Sequence, residues 1–325
     1  MLDLTFLGTS SGVPTLYRNV SALAVKDSHS KDWVLIDAGE GTQHRIQQAK
    51  LSLQQLQVIC ITHVHGDHCY GLIGLLASAG MSGRRQALTL IAPIEIQTWL
   101  EATMRLTDLY LPYPIEFIDV CTLADGHAVN SRLHIQPHEL HHRVPSYAFS
   151  ISATQHHSKL NTAALTQIGL PAGKLWGQLQ HGQAVEWQGQ TLDPKDFVQL
   201  SSQTVRVLVA GDNDQPQLLA SACIDAALLV HESTYDQLSL DKVGPTPMHS
   251  SAQIVAQFAQ QQHMPHLILT HFSPRHHNTE GMQRLADEVR QHYQGSFYLA
   301  DDFDQYHLDA EGMLTQVFSR MLTEG

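Results

Sequence analysis

Within the six residues His63-Val64-His65-Gly66-Asp67-His68, four side chains can bind a metal ion. Imidazole and carboxylate ligands without thiolate suit a catalytic, hydrolytic site that keeps positions open to water. His63 and His65 stand two apart, so in extended backbone they point the same way and can share one ion, while Asp67 and His68 fall on the next bend. That spacing suits two adjacent ions. Gly66 permits the backbone conformation that a loop folding back around metal requires. A polar turn rich in histidine by chance is the alternative in a chain with 22 histidines, but it leaves the rest of the pattern unexplained.

Stepping along the chain, apolar β-branched runs deliver ligand-type side chains repeatedly. Leu56–Thr62 reads as a buried strand leading into His63. Val205–Ala210 leads into Gly211-Asp212-Asn213, Ala226–Val230 into His231-Glu232, and His266–Thr270 into His271. Loops at strand ends are where rigid scaffolds place chemistry.

The chain has 325 residues, 43% of them hydrophobic, enough for a large core in one big domain or two smaller ones. Cys60, Cys69, Cys121 and Cys223 form no paired motif, so neither a disulfide framework nor a cysteine zinc knuckle is expected. No basic leader precedes the first strand-like run and no apolar run reaches membrane-spanning length, which predicts a cytoplasmic protein without membrane association. A net charge of −12 argues against wholesale nucleic-acid binding. The distribution is uneven, however. No Asp or Glu lies between Glu139 and Glu186, whereas Arg143, Lys159, Lys174 and five histidines do. That segment is either a neutral insertion or a patch that approaches a polyanion.

Residues 1 to 40 read as short strands joined by Gly, Pro and Ser loops, including Asp3–Leu7, Val20–Val25 and Trp33–Ile36. Gly71–Ala79, Pro93–Leu106, Ser251–Gln262 and Thr279–Tyr293 carry helical periodicity. Strands in both halves, each followed by helices, predict an α/β sandwich of two sheets covered by helices, both halves sending ligands to a shared edge. Residues about 155–195 interrupt this, with a short helix at Ala163–Ile168 and a turn-rich run from Gly169 to Gly177; they read as a flexible arm inserted in a single domain spanning 1–325.

The segment His63-x-His65-x-Asp67-His68 resembles the signature of the metallo-β-lactamase superfamily, which implies an αββα sandwich binding up to two zinc ions. Phe6-Leu7-Gly8-Thr9-Ser10, Asp37-Ala38-Gly39-Glu40-Gly41, His231-Glu232-Ser233-Thr234 and Met248-His249-Ser250-Ser251 narrow the resemblance to the short form of the ribonuclease Z family. It covers nearly the whole chain, and Gly169-Leu170-Pro171-Ala172-Gly173-Lys174-Leu175 is similar to that family's tRNA-gripping arm.

The resemblance implies one zinc on His63, His65 and His142, a second on Asp67, His68 and His271, and Asp212 bridging both. His142 is favoured over His141 because Tyr147 follows it at the distance of an aromatic in the family pattern. It also implies hydrolysis of precursor tRNA by water activated between two cations. The products would be a tRNA 3′-hydroxyl and a 5′-phosphorylated trailer. Asp67 would orient or deprotonate the water, and His249 would protonate the departing ribose oxygen, oriented by Glu232 or His231. Asp37 is expected to support the metal ligands by hydrogen bonds. Lys159, Lys174 and Trp176 are the candidate tRNA contacts, Trp176 either stacking on RNA or anchoring the arm. A homodimer, one subunit's arm gripping tRNA cut by the other, is a further implication.

Ile73, Asn213, Ser233 and Lys174 depart from the family pattern, where proline, threonine, alanine and proline are usual. Two rival readings remain: a hydrolase of small phosphodiesters or thioesters on the same scaffold, and a non-catalytic zinc- or RNA-binding protein. The arm speaks against the first, and Asp212 with His249 against the second.

Overall fold

The computed structural model describes residues 1–319. Two large sheets form its framework. The first runs, in spatial order, Leu314–Phe318, Gln305–Leu308, Leu2–Gly8, Ala22–Asp27, Trp33–Ile36, Leu56–Cys60, Leu88–Ala92 and Ile115–Asp119. It is antiparallel as far as Trp33–Ile36 and parallel beyond it. The second runs Ser296–Leu299, His266–Thr270, Leu228–Glu232, Val198–Val209, Ser146–Leu160, Leu133–Leu140 and His127–Ala128. Its first four strands are parallel.

Three apolar layers account for the architecture. Leu4, Phe6, Val34 and Val58 of the first sheet meet Ile135, Phe149, Val207 and Ile268 of the second in a core between the sheets. The opposite face of the first sheet packs Leu35, Ile59 and Leu90 against Leu72, Leu75, Leu76 and Ile96 of helices Leu72–Met81 and Ile94–Leu106. The outer face of the second packs Leu208, Leu229 and Leu267 against Val255, Phe258, Leu285 and Val289 of helices Ala252–Gln261 and Thr279–His292. Strands apolar on both faces are what a sheet covered on both sides needs. This is the αββα sandwich expected from the sequence. Because the central strands of each sheet are parallel, their carboxyl ends emerge together, the usual position of ligands in such sheets.

Contacts divide the chain into two units, one of residues 1–153 with 205–325 and another of Thr154–Thr204. The second has its own small core of Leu165, Leu170, Leu179, Val185 and Leu192. It reaches further than 155–195 because strands Ser146–Leu160 and Val198–Val209 run into it on polar, alternating sequence.

Some local expectations are corrected. Asp67 and His68 lie on a helical turn, Gly66–Cys69, and not on an open bend. Lys174–Gln180, read as turn-rich, is a helix begun after Gly173. Strands Leu88–Ala92, Ile115–Asp119 and Leu133–Leu140 complete the sheets without having been singled out in the sequence.

Candidate metal centre

Parallel pairing of Trp33–Ile36 with Leu56–Cys60 brings two loops side by side: Asp37 N donates to the Cys60 carbonyl at 2.8 Å. Asp37 takes a left-handed backbone, φ 62°, and turns its carboxylate onto the neighbouring loop. There it accepts from Thr62 N at 2.8 Å, Thr62 Oγ1 at 2.9 Å and His68 Nδ1 at 2.6 Å. The loops pack backbone to backbone, and a Cβ on Gly39 would lie 2.3 Å from the Asp67 carbonyl oxygen. Only glycine fits there.

The hydrogen bonds set each ring's tautomer. His68 donates from Nδ1 to Asp37, which leaves Nε2 as a lone pair. Thr62 spends its hydroxyl proton on Asp37, so His63 donates Nδ1–H to Thr62 Oγ1 at 3.0 Å. Thr234 spends its own on Glu232 Oε2 at 2.8 Å, and His271 donates Nδ1–H to Thr234 Oγ1 at 3.0 Å. His142 donates Nδ1–H to the Met248 carbonyl at 2.9 Å. Four imidazoles therefore present Nε2 lone pairs inward.

Those lone pairs converge. His63 Nε2 is 3.0 Å from His65 Nδ1, and His142 Nε2 is 3.2 Å from the same atom. His68 Nε2 and His271 Nε2 stand 3.2 Å apart. Asp212 lies between the sets: Oδ2 is 3.5 Å from His63 and 3.8 Å from His142, Oδ1 3.4 Å from both His68 and His271. Asp67 Oδ2 closes the second set, 3.3 Å from His271, and is itself held by the Gly12 N–H at 2.7 Å. One donor from each of His63, His65, His142 and Asp212 lies within 4.8 Å of the others, as do those of Asp67, His68 and His271.

Two observations test whether a cation fits. Asp212 Oδ1 is buried and meets no hydrogen-bond donor among the described residues, a costly state unless something positive faces it. Facing imidazole lone pairs repel unless an electrophile sits between them. Charge agrees. Burial, then neighbouring His68, lowers His63, while burial and His142 lower His65, which favours the neutral rings that metal binding needs. Burial opposes charge on His68, but Asp212, Asp37 and Asp67 outweigh it and raise it to about 10, so its inward Nε2 is a position that takes up positive charge, from a proton or from a metal ion. Three carboxylates thus draw positive charge into the second set, and a cation can supply it. The donor set fits metal.

His249 sits beside this cluster, its ring 5.1 Å from that of His142 and 5.6 Å from that of His271. Its Nδ1 donates to Glu232 Oε1 at 3.1 Å. Burial opposes its protonation, but Glu232 and Asp212 raise it to about 9. Glu232 is fully used: it also accepts from Ser250 N at 2.8 Å and Thr234 N at 2.8 Å. His231 points elsewhere, with Nε2 3.2 Å from Asn213 Nδ2 and Nδ1 donating to the Glu232 carbonyl at 2.8 Å. Of the two expected partners of His249, Glu232 makes the bond. His141 is likewise outside the cluster, bonded to Asp214 at 2.7 Å.

The candidate tRNA contacts lie in the Thr154–Thr204 unit. Lys159 is exposed and shares a cleft with Asn161, Lys195 and Phe197, and Lys174 is exposed at the start of its helix. Trp176 is part-buried against the small core and donates its indole N–H to the Leu170 carbonyl at 3.2 Å, which is the anchoring arrangement. Sequence reading missed the roles of Thr62, Thr234 and Gly12, which hydrogen-bond His63, His271 and Asp67. Left-handed backbone at Asp37, Met248 and His271 was equally invisible, although such strain gathers at functional sites.

Similar architecture occurs in human tRNase Z, short form, whose crystal structure superposes with a TM-score of 0.63 at 23% identity, covering 94% of this chain and 99% of that one. The metallo-beta-lactamase fold protein YhfI from Bacillus subtilis gives 0.64 at 16% identity over 94% and 98%. Fold and site define a protein of the metallo-β-lactamase fold class. Ribonuclease Z of Pseudomonas putida (strain GB-1) is 44% identical over 320 residues, 97% of this chain and all of that one, and ribonuclease Z of Brevibacillus brevis is 34% identical over 314, 95% of this chain and 97% of that one. The chain belongs to the ribonuclease Z family, a family of hydrolytic endoribonucleases. A model of the family described as Anti-Pycsar protein Apyc1 also matches residues 2–166.

Proposed function

We propose that the chain is a zinc-dependent endoribonuclease that removes the 3′ trailer from precursor tRNA in the cytoplasm. It would leave a tRNA 3′-hydroxyl and a 5′-phosphorylated trailer. The observation that carries this reading is the pair of donor sets joined by Asp212, with His249 beside them on Glu232. His63, His65 and His142 would hold one zinc, Asp67, His68 and His271 the other, and Asp212 both. When bound, paired zinc ions supply Lewis-acid chemistry, lowering the pKa of water toward neutrality and offsetting phosphate charge.

The chain's own groups do the rest. Asp67, fixed by the Gly12 N–H, orients the attacking water and receives its proton. His249 has committed Nδ1 to Glu232, which leaves Nε2 to protonate the departing ribose 3′-oxygen. Glu232 keeps that ring in one tautomer and balances its charge. Asp37, Thr62 and Thr234 hold the imidazoles in register, as groups behind metal ligands do.

The unit Thr154–Thr204 is assigned the grip on tRNA. Lys159 and Lys174 would contact phosphates, and Trp176 would brace the arm from inside. By family resemblance, the working form is a homodimer whose arms serve the neighbouring subunit. The test is incubation with precursor tRNA before and after chelation. Cleavage abolished by chelator and restored by zinc supports the reading; cleavage indifferent to chelator, or none by the zinc-loaded protein, contradicts it.

A further inference from the structure

Outside the metal ligands, the surroundings of His249 contain one unassigned arrangement. Tyr235 is buried, 9% exposed, and its ring meets that of His249 edge-on at 6.1 Å between centroids. On Tyr235 lies the guanidinium of Arg275, 5.3 Å from the ring centroid. Arg275 is exposed in the turn Pro274–His276, four residues beyond His271. Backbone bonds fasten both partners: Ser273 N donates to the Thr234 carbonyl at 3.1 Å, and Ala252 N to that of Tyr235 at 3.0 Å. The stack is therefore placed by the same loops that place His271 and His249.

Among the described residues, Arg275 has no ion-pair partner. The chain carries 31 acidic residues against 19 Lys and Arg, and five of its other arginines, Arg18, Arg45, Arg132, Arg284 and Arg290, are ion-paired. The carboxylate next to Tyr235, Asp236, is occupied by Arg284 at 3.0 Å and Ser239 N at 2.7 Å. Among the described residues no carboxylate lies within ion-pair distance of Arg275, nor of exposed Arg143, which follows His142 and acts electrostatically on both His65 and Tyr235. A guanidinium stacked on a ring keeps its N–H edge free, the geometry suited to forked recognition of phosphate.

We infer that Arg275, stacked on Tyr235 and seconded by Arg143, grips an RNA phosphate: the one on the 5′ side of the nucleotide whose 3′-oxygen departs. The placement rests on the reading of His249 given above. If His249 protonates that oxygen, the nucleotide bearing it lies on the His249 side of the centre, and its other phosphate continues toward Arg275. The clamp would hold that nucleotide against the proton donor, a contact that a small phosphodiester lacking the upstream phosphate cannot make.

The test uses the full-length, zinc-loaded protein and a precursor RNA whose scissile 3′-oxygen is replaced by methylene, so that it binds without being cut. Arg275→Ala should weaken its binding about tenfold and flatten the salt dependence by roughly one phosphate contact. Replacing the single upstream phosphate by a neutral methylphosphonate should cost the wild type as much, and cost Arg275→Ala nothing further. Arg275→Lys should recover only part, because a point charge lacks the fork. Turnover of a nitrophenyl phosphodiester should stay within about twofold in every variant, as expected when the lost contact is remote from the reacting atoms. Additive losses from the variant and the neutral linkage, or undiminished binding by Arg275→Ala, overturn the proposal. Failure of wild type to cut ordinary precursor while the binding pattern holds would instead overturn the nuclease reading and leave the phosphate site standing.

Discussion

His249 donates through Nδ1 to Glu232 at 3.1 Å, and the other oxygen of the same carboxylate accepts the hydroxyl of Thr234, which in turn receives Nδ1–H of His271. One buried carboxylate thus orients both a candidate proton donor and a candidate metal ligand. The expected kinetic consequence is coupling. His249→Ala and Glu232→Gln should each lower turnover of precursor tRNA by roughly 10²-fold or more, the contribution of a positioned general acid. Together they should cost little more than the larger single loss. On a nitrophenyl phosphodiester, whose leaving group needs no proton, the His249→Ala defect should shrink; an equal defect on both substrates would mark His249 as structural.

Loss of one ligand from each donor set should be visible without any assay of activity. His65→Ala and His271→Ala should each purify with fewer than two equivalents of zinc, because each removes an inward-facing nitrogen that no neighbour replaces. Elemental analysis decides it. Full zinc content in both variants would contradict the proposed ligand sets.

Asp37 offers a subtler perturbation. It is bonded to His68 Nδ1 and twice to Thr62, yet it belongs to neither donor set. Asp37→Ala should leave the protein folded and weaken zinc affinity by about 10- to 100-fold, the usual effect of removing a group behind a metal-ligating histidine. Competition with a chromogenic chelator measures it, and unchanged affinity would show that the loop holds His68 without help.

Residues His63 to His68 were legible because an apolar strand, Leu56–Cys60, runs into six positions that hold four metal-capable side chains. Asp212, Glu232 and His271 were legible by the same rule, each closing a parallel strand. Strand Leu133–Leu140 was not, because one of its faces carries His134, Gln136 and His138 while Pro137 and Glu139 interrupt the apolar face of Leu133 and Ile135. Thr62 and Thr234 look in sequence like ordinary strand-end threonines; only tertiary geometry gives each a carboxylate on one side and an imidazole on the other. The helix Lys174–Gln180 was hidden by Gly173 and Gly177, which read as turn residues and carry no Cβ contacts to contradict that reading.

The arm can be separated from the centre. Replacing Gln155–Gln190 with a short Gly/Ser bridge removes no member of either donor set. Hydrolysis of a small phosphodiester should persist, whereas cleavage of precursor tRNA should collapse, because binding energy remote from the scissile bond no longer positions the substrate. Lys159→Ala and Lys174→Ala should weaken tRNA binding more modestly and reduce its salt dependence. An unchanged ratio of tRNA to small-substrate activity in a folded deletion variant would favour a small-molecule hydrolase.

The central claim is that this chain directs water, oriented by Asp67 and opposed by His249, onto one phosphodiester of precursor tRNA. Chemical analysis of the two new ends of an end-labelled precursor tests it most directly. The account predicts a 3′-hydroxyl on the tRNA and a 5′-phosphate on the trailer. A 2′,3′-cyclic phosphate on the tRNA with a 5′-hydroxyl trailer would show that the ribose itself had attacked, and would contradict it.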